Sequence, residues 1–286
     1  MMVDVILDTL IDAAKLLPFL FVTYLLMEYA EHKTGDRFTE ALHKGGKAGP
    51  LFGGVLGVVP QCGFSAAASN LYAGRVITLG TLFAVYLSTS DEMLPILISE
   101  RSDITLILKI LALKAVIGIA AGFGTDIILR LRGKKEQDWD IESLCERERC
   151  SCEEEEGILK PALVHTLHVF FFVVGISFVL NIIVHFAGLE AVRGSLLGTP
   201  VAGELIAALI GLIPNCGASV AITHLYLEGV ISLGAMMAGL LTGAGVGLLV
   251  LFRVNDHLKE NLMIAGTLYL FGAVFGIIIE LTGLVL

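Results

Sequence analysis

Charge is what this sequence has least of. Only 16% of its 286 residues are Asp, Glu, Lys or Arg, against about 25% in an average soluble domain. With 56% hydrophobic residues and a mean hydropathy of +0.84, a soluble globular domain and a disordered chain are both excluded. Positive charge is the scarcer sign, 19 basic against 28 acidic residues for a net charge of −9, so there is no basic footprint for nucleic acid. Cysteine is sparse and odd in number, five in all; free thiols facing a reducing cytosol suit that count better than a disulfide framework does. No Walker-type phosphate loop occurs, so any uphill work draws on an ion gradient or an external partner. Nor does a positive stretch open a cleavable leader, since Met1–Asp12 carries three aspartates where that region should be basic.

What the chain does have is long apolar runs. Spans of the length a ~30 Å hydrocarbon core requires lie near 5–29, 76–98, 104–130, 161–187, 230–252 and 262–285, the first interrupted by Asp8, Asp12, Lys15 and Pro18. Glycine, at 32 residues, fits close approach of membrane helices. Two further apolar stretches, 49–74 and 198–228, are broken at their centres by Pro60-Gln61-Cys62-Gly63 and Pro214-Asn215-Cys216-Gly217. Proline interrupts the helical ladder and glycine permits sharp backbone geometry. Each flank is then about a dozen residues, roughly 18 Å at 1.5 Å per residue. Neither crosses alone.

These stretches form an internal repeat. A shift of 154 aligns 57–80 with 211–234 at 12 identities in 24, including the shared Pro-x-Cys-Gly-x-Ser. Charge predicts how the copies are oriented. If each broken stretch returns to its starting side, residues 31–48, 130–160 and 253–261 together with Arg75 share one side and hold 14 Lys and Arg, against Arg101 and Arg193 opposite. If each crosses once, the same residues divide 8 against 8. The positive-inside rule favours the asymmetric arrangement. The expectation is therefore an all-α membrane protein of two inverted repeats, each with three transmembrane helices and a broken re-entrant helical hairpin, ten helical segments in total. The repeats occupy 1–131 and 161–286, joined by a charged, Cys-containing linker at 132–160. That linker faces the cytoplasm, both termini face outside, and the protein is integral to the cell membrane. Broken segments converging at the midplane of inverted repeats point to a secondary-transporter substrate site.

The hairpin tips carry the first candidate site. Irregular backbone at membrane depth persists only where it is buried in protein or lines a polar cavity, and half-helix ends offer donors, carbonyls and fixed dipoles. Gln61 and Asn215 add amide oxygens, Cys62 and Cys216 add sulfur, Gly63 and Gly217 open the turn, and Ser65 and Ser219 lie one turn on. The plainer reading is a turn that reverses the chain, with cysteine as a small apolar residue; duplication of the motif favours a substrate-lining role.

A second constellation, Ser88-Thr89-Ser90-Asp91-Glu92 followed by Pro95, lies mid-span in the next crossing. Ionisable groups at membrane depth cost about 2.5–3.5 kcal/mol on insertion scales and are functional candidates by default. Ser88 shares a helix face with Asp91 and Glu92. The repeat-mate, Thr242-Gly243-Ala244-Gly245-Val246, holds no acid, so one half supplies the charge. The simpler alternative pairs Asp91 or Glu92 with Lys109 or Lys114 of the following span. Asp91, Glu92, Cys62 and Cys216 are the candidate metal ligands. Among the histidines His165, His168, His185 and His224, His224 is preferred for the path because it aligns with Asn70 on the second hairpin arm. Cys145, Cys150 and Cys152 beside four glutamates could hold a soft metal ion, but their spacing matches no standard zinc pattern and a charge run is more often a solvated linker.

On Pro60-Gln61-Cys62-Gly63-Phe64-Ser65 and Pro214-Asn215-Cys216-Gly217-Ala218-Ser219, nearly the whole chain resembles a prokaryotic ten-transmembrane heavy-metal exporter family, also labelled arsenic-efflux-like permease or manganese transporter. The resemblance implies efflux of a metal or metalloid. The residues themselves suit either a thiophilic species at the two sulfurs or a harder divalent transition metal such as manganese at the acids and amides; two acids favour the cation. Expected partners are the lipid bilayer, the transported ion, a proton exchanged on Asp91 or Glu92, and a second copy in a homodimer; no cofactor is expected. A passive channel is the competing function. An intramembrane thiol-redox protein competes less well, because the tips hold no Cys-x-x-Cys and no nucleophile–base pair marks an enzyme.

Overall fold

A computed structural model describes residues 17–18, 21–22, 24–25, 48–59, 62–90, 93–132, 159, 162–164, 166–172, 174–175, 178 and 201–283. The regular structure among the described residues is helical throughout. Ten helices carry the argument: α1 (Gly49–Gly57), α2 (Cys62–Ala73), α3 (Leu79–Ser88), α4 (Met93–Ser99), α5 (Ile104–Leu131), α6 (Ala202–Gly211), α7 (Cys216–Leu227), α8 (Leu233–Thr242), α9 (Val246–Val254) and α10 (Leu258–Thr282). The second five repeat the first five in order and nearly in length. Parts of the first span of each half, within 17–25 and 162–178, are helical as well. Among the described residues four segments are long and apolar enough to cross a membrane: Leu79–Ser99, Ile104–Leu131, Leu233–Val254 and Leu258–Thr282.

The register within each half follows from small residues. Gly49, Gly53 and Gly57, one helical turn apart, turn one face of α1 onto α3. A side chain added at Gly49 would meet Thr81, at Gly53 Thr81 and Val85, and at Gly57 Ser88 and the Val85 carbonyl. Rising numbers on α1 meet rising numbers on α3, so the two helices run parallel. The chain therefore returns to its starting level through α2 before α3 begins. Gly203, Ala207 and Gly211 repeat the stripe on α6, where Gly211 touches Gly239 and Thr242 on α8 and the Thr242 hydroxyl donates to the Ala208 carbonyl at 2.9 Å.

The long helices α5 and α10 pack antiparallel to α3 and α8. Gly80 and Gly122 approach backbone to backbone, as do Gly234 and Gly276; each member of the second pair lies 154 positions beyond its counterpart. The repetition extends to the caps. Thr78 caps α3 by accepting from Thr81 N, and Ser232 caps α8 by accepting from Ala235 N. Asp126 of α5 accepts from Gly80 N at 2.8 Å and from the Thr78 hydroxyl at 2.8 Å; Glu280 of α10 accepts from Gly234 N at 3.3 Å. These capping acids add charge at helix N-termini, where the backbone dipole favours it.

The crossings expected at 76–98 and 230–252 are not continuous; each is in two pieces. The helix interrupted after Ser88 resumes at Met93, and the one interrupted after Thr242 resumes at Val246, where Gly245 takes φ 54° and ψ −139°, a conformation that glycine tolerates and other residues rarely adopt.

Candidate functional site

Val58 and Ser219, which flank the two Pro-x-Cys-Gly motifs, each lie beside the interruption in the helix pair that follows. In the first half Ser90, inside the interruption, donates its hydroxyl to the Val58 carbonyl at the end of α1 at 2.7 Å. In the second half an added Cβ at Gly243 would come within 3.3 Å of the Ser219 hydroxyl on α7. Half-helix ends thus approach one another in pairs, α1 with α3 in one half and α7 with α8 in the other. Such ends carry partial charges and backbone groups without helical partners.

The two halves meet at the start of α9. Gly247, in the first turn of α9, lies against Ser65 so closely that a Cβ would sit 2.7 Å from the Ser65 side chain. Its carbonyl accepts from Ser69 at 2.6 Å and lies 3.2 Å from the Tyr86 hydroxyl, while the Ser69 and Tyr86 hydroxyls are 2.7 Å apart. Ser65, Ser69 and Tyr86 are fully buried. Three helices from two repeats are therefore joined by one polar knot inside an apolar core. That core is built from Leu82, Phe83, Met236, Leu240 and Leu268, with Phe83 edge-on to Phe271 at 5.5 Å.

The described residues divide the expected site. Ser65 and Gly63 are buried at the first tip. Asn215 N-caps α7, its side-chain oxygen accepting from Gly217 N at 2.7 Å, so that amide shapes the tip. Ser219 is half-buried beside the second interruption. Ser88 is fully buried, and its hydroxyl turns back to the Ala84 and Val85 carbonyls at 2.7 and 3.1 Å; it serves the end of α3. His224 is exposed in the last turn of α7, whereas its repeat-mate Asn70 is fully buried and accepts from Tyr24 at 2.9 Å. His168 is also exposed. Pro60, Gln61, Asp91, Glu92, His165, His185 and the linker cysteines Cys145, Cys150 and Cys152 lie outside the described residues, as do the side chains of Cys62 and Cys216. Among the described residues no three His, Cys, Asp or Glu side chains cluster as a metal site.

Three buried polar groups stand outside the candidate site read from the sequence, where Lys114 entered only as a possible partner of Asp91 or Glu92 and Asn70 only as the repeat-mate of His224. Lys114 of α5 is 1% exposed and donates to the Leu240 carbonyl of α8 at 2.7 Å. Glu204, in the first turn of α6, is 1% exposed, and its Oε2 has no hydrogen-bond partner. The Nδ2 of Asn70 is likewise buried without an acceptor. Each is a polar residue in an apolar stretch, which is the only signal the sequence offers. Lys109, by contrast, is exposed.

At one end of the molecule Arg75 grips Glu260 through two hydrogen bonds of 2.9 and 3.1 Å, and Tyr72 donates to the same carboxylate. The guanidinium also stacks over the Tyr72 ring at 5.3 Å. The carboxylate raises the already high pKa of Arg75, so this clamp stays charged across the physiological range. It fastens the end of α2 to the start of α10.

Against known proteins, no curated protein and no solved structure gives a match. A family described as "Putative, 10TM heavy-metal exporter" matches residues 1–188 and again 134–282, in agreement with the resemblance read from the two Pro-x-Cys-Gly motifs. With nearly its full length matched, and with apolar helices assembled around paired interruptions, the chain belongs to this family of 10TM heavy-metal exporters.

Proposed function

We propose that the protein is a secondary-active exporter of a divalent transition metal such as manganese, built as two inverted repeats around a midplane site between the hairpin tips. The observation that carries this reading is the parallel register of α1 with α3 and of α6 with α8, which supports hairpins that enter and leave on one side. Inversion has its own support. Ser65 to Ser69 on α2 lie beside the start of α9, while Arg75 lies beside Glu260 just past its end. These contacts support a crossing 79–99 that begins at the level where the crossing 233–254 ends. The same clamp supports a shared side for Arg75 and residues 253–261, as the asymmetric charge distribution expects. On this reading residues 132–160 face the cytoplasm and both termini face outside.

Alternating access then amounts to rocking one repeat against the other around a fixed site. Asp91 and Glu92 bind the cation and exchange it for protons; Cys62 and Cys216 add softer ligands at the tips. A metalloid substrate would depend on those sulfurs instead, and a homodimer is the expected assembly. Reconstituted vesicles assayed with manganese, zinc, cadmium, cobalt and arsenite test the reading. Uptake of a divalent metal driven by a pH gradient is expected, with at least a tenfold loss in Asp91→Asn or Glu92→Gln. Gradient-dissipating flux without coupling would make the protein a channel. Unchanged transport in a Cys62→Ser, Cys216→Ser double variant would remove sulfur from the mechanism.

A further inference from the structure

Arg75 and Glu260 come from different repeats, and the contact between them is the rim of a longer seam. At its inner end Ser65 and Ser69 of α2 meet Gly247 of α9. Ala66 then clusters with Val246, Val250 and Val254 of α9, with Leu71 and Ala73 packed against them. At the outer end Arg75, just past α2, and Tyr72 hold the Glu260 carboxylate in the first turn of α10. Buried Asn255 and Asn261 brace the turn from α9 to α10. Asn255 Nδ2 donates to Asn261 Oδ1 and Asn261 Nδ2 to the Asn255 carbonyl, each at 2.7 Å. The side chains of Arg75 and Glu260 are 11% and 22% exposed, whereas Ala66, Ser69 and Val250 behind them are fully buried.

The other copy of this turn shows that the fold does not require a charge there. The repeat-mates of Arg75 and Glu260, 154 positions away, are Gly229 and Leu106. Both α2 and α7 end in the same turn: Val76 N donates to the Leu71 carbonyl at 2.8 Å, and Val230 N to the Leu225 carbonyl at 2.9 Å. The residue before each donor takes positive φ, 60° at Arg75 and 71° at Gly229. Glycine is the usual occupant of that position, so the turn itself does not call for arginine. Tyr226, the mate of Tyr72, is half-buried where Tyr72 is buried. One junction between repeats thus carries an ionic fastening, and its counterpart, at the end of α7 and the start of α5, lacks both charges.

We propose that Arg75, Glu260 and Tyr72 form a latch that holds one face of the transporter shut and opens when the repeats rock apart. The inference rests on the reading of the protein as an alternating-access exporter, in which one repeat moves against the other. A contact between repeats at the rim must part before the site behind it is reached from that side. Because the opposite junction lacks the pair, the two access states are unequal, and the latch favours the state closed on the side of residues 253–261. Substrate arriving from that side finds only the latch-open fraction competent to bind, which raises its apparent KM. Arg75 and Glu260 are positioning residues: they act on access.

The test uses full-length protein in vesicles, with Mn²⁺ offered on the side of residues 253–261. That side is identified by labelling exposed Lys259 with an impermeant amine reagent. Arg75→Gly gives α2 the residue found at its repeat-mate, so the turn is kept while the latch is lost. KM for Mn²⁺ should fall about fivefold, the scale of a partly exposed ion pair. Glu260→Gln should do the same, and the exchange Arg75→Glu with Glu260→Arg should return KM toward the wild-type value. An unchanged or raised KM in Arg75→Gly overturns the inference. Hydrogen exchange without metal gives a second readout, independent of transport. In Arg75→Gly, amides of 65–71 and 246–254 should exchange at least about threefold faster, while those of 202–211 and 233–242 keep their wild-type rates. Faster exchange confined to 74–76 and 258–261, or spread evenly over both repeats, marks a static fastening and overturns the inference. If the wild type moves none of the panel metals, the exporter reading falls whatever the exchange pattern. If it moves Mn²⁺ and Arg75→Gly keeps its KM, only the latch falls.

Discussion

The interrupted crossings of the two halves share a scaffold and differ in chemistry. In both, the break follows a hydroxyl residue whose Oγ folds back on its own helix, Ser88 in one half and Thr242 in the other. In both, a glycine at the end of the preceding hairpin arm presses against that residue, Gly57 or Gly211. The first break then continues through Thr89 and Ser90, whose hydroxyls hold the Val85 and Val58 carbonyls at 2.8 and 2.7 Å. The second continues through Gly243, Ala244 and Gly245, which have no such side chains, and receives a lysine from the opposite repeat. Duplication thus preserved the packing geometry while polar groups were redistributed. Packing requires both copies of a helix interface; charge compensation requires only one copy of each charge.

That contrast makes predictions of graded size. The largest effect should come from attacking the shared scaffold. Gly57→Val and Gly211→Val each drive a branched side chain into backbone and a hydroxyl of the facing helix, and should destabilise by about 3 kcal/mol or more. Thermal unfolding in detergent should show both variants equally impaired, and a large difference between them would break the equivalence of the halves.

The capping acids are matched in position but not in geometry. Asp126→Asn disturbs two bonds of 2.8 Å, whereas Glu280→Gln disturbs one of 3.3 Å. Charged hydrogen bonds of good geometry contribute about 1.5–3 kcal/mol. The Asp126 variant should therefore lose about 1.5–2 kcal/mol and the Glu280 variant under about 1, a difference readable as separate melting temperatures. A smaller loss, about 0.6–1.5 kcal/mol by the measured range for hydrogen bonds between membrane helices, is expected for Tyr86→Phe at the Gly247 junction. Ser69→Ala should cost more than Tyr86→Phe, because Ser69 makes the shorter bond to Gly247 and also touches Ser65 and Tyr86. The reverse order would assign the junction to the tyrosine.

Much of this architecture can be read from the chain before any coordinates. Pro-x-Cys-Gly-x-Ser occurs twice at a fixed spacing, and a turn motif inside an apolar run declares itself against its surroundings. The abundance of glycine points to close helix packing, but that Gly49, Gly53 and Gly57 form the stripe that sets the register shows only in their contacts with α3. The breaks in the crossings were hidden for a physical reason. Gly243-Ala244-Gly245 is apolar and small, so it reads equally as a close-packed helix face, and hydropathy runs through it without a dip. Ser88 through Ser90 suggested a ligand surface, yet their hydroxyls terminate α3 and hold the hairpin. Hydroxyl groups near a helix end can serve both purposes at once, since a hydroxyl that donates to a carbonyl keeps lone pairs for a ligand; the distances to Ala84, Val85 and Val58 show the first purpose. Lys114 was legible as a charge at depth, but the carbonyl that receives it exists only because another repeat is interrupted, which no local pattern records.

The short lengths of α1, α2, α6 and α7 also bear on how the protein is made. Helices of 9 to 12 residues fall well below the ~20 that an insertion machinery recognises as a span, and their backbone ends must find protein partners before they can persist in lipid. The surfaces that receive α1 and α6 are the faces of α3 and α8, which are synthesised later in each half. Each hairpin must therefore wait, unpartnered, until the crossing downstream of it has been delivered, and only then slide its row of small residues into place. The same glycines that set the register consequently favour an order in time, with α3 and α8 in place before α1 and α6 can dock on them.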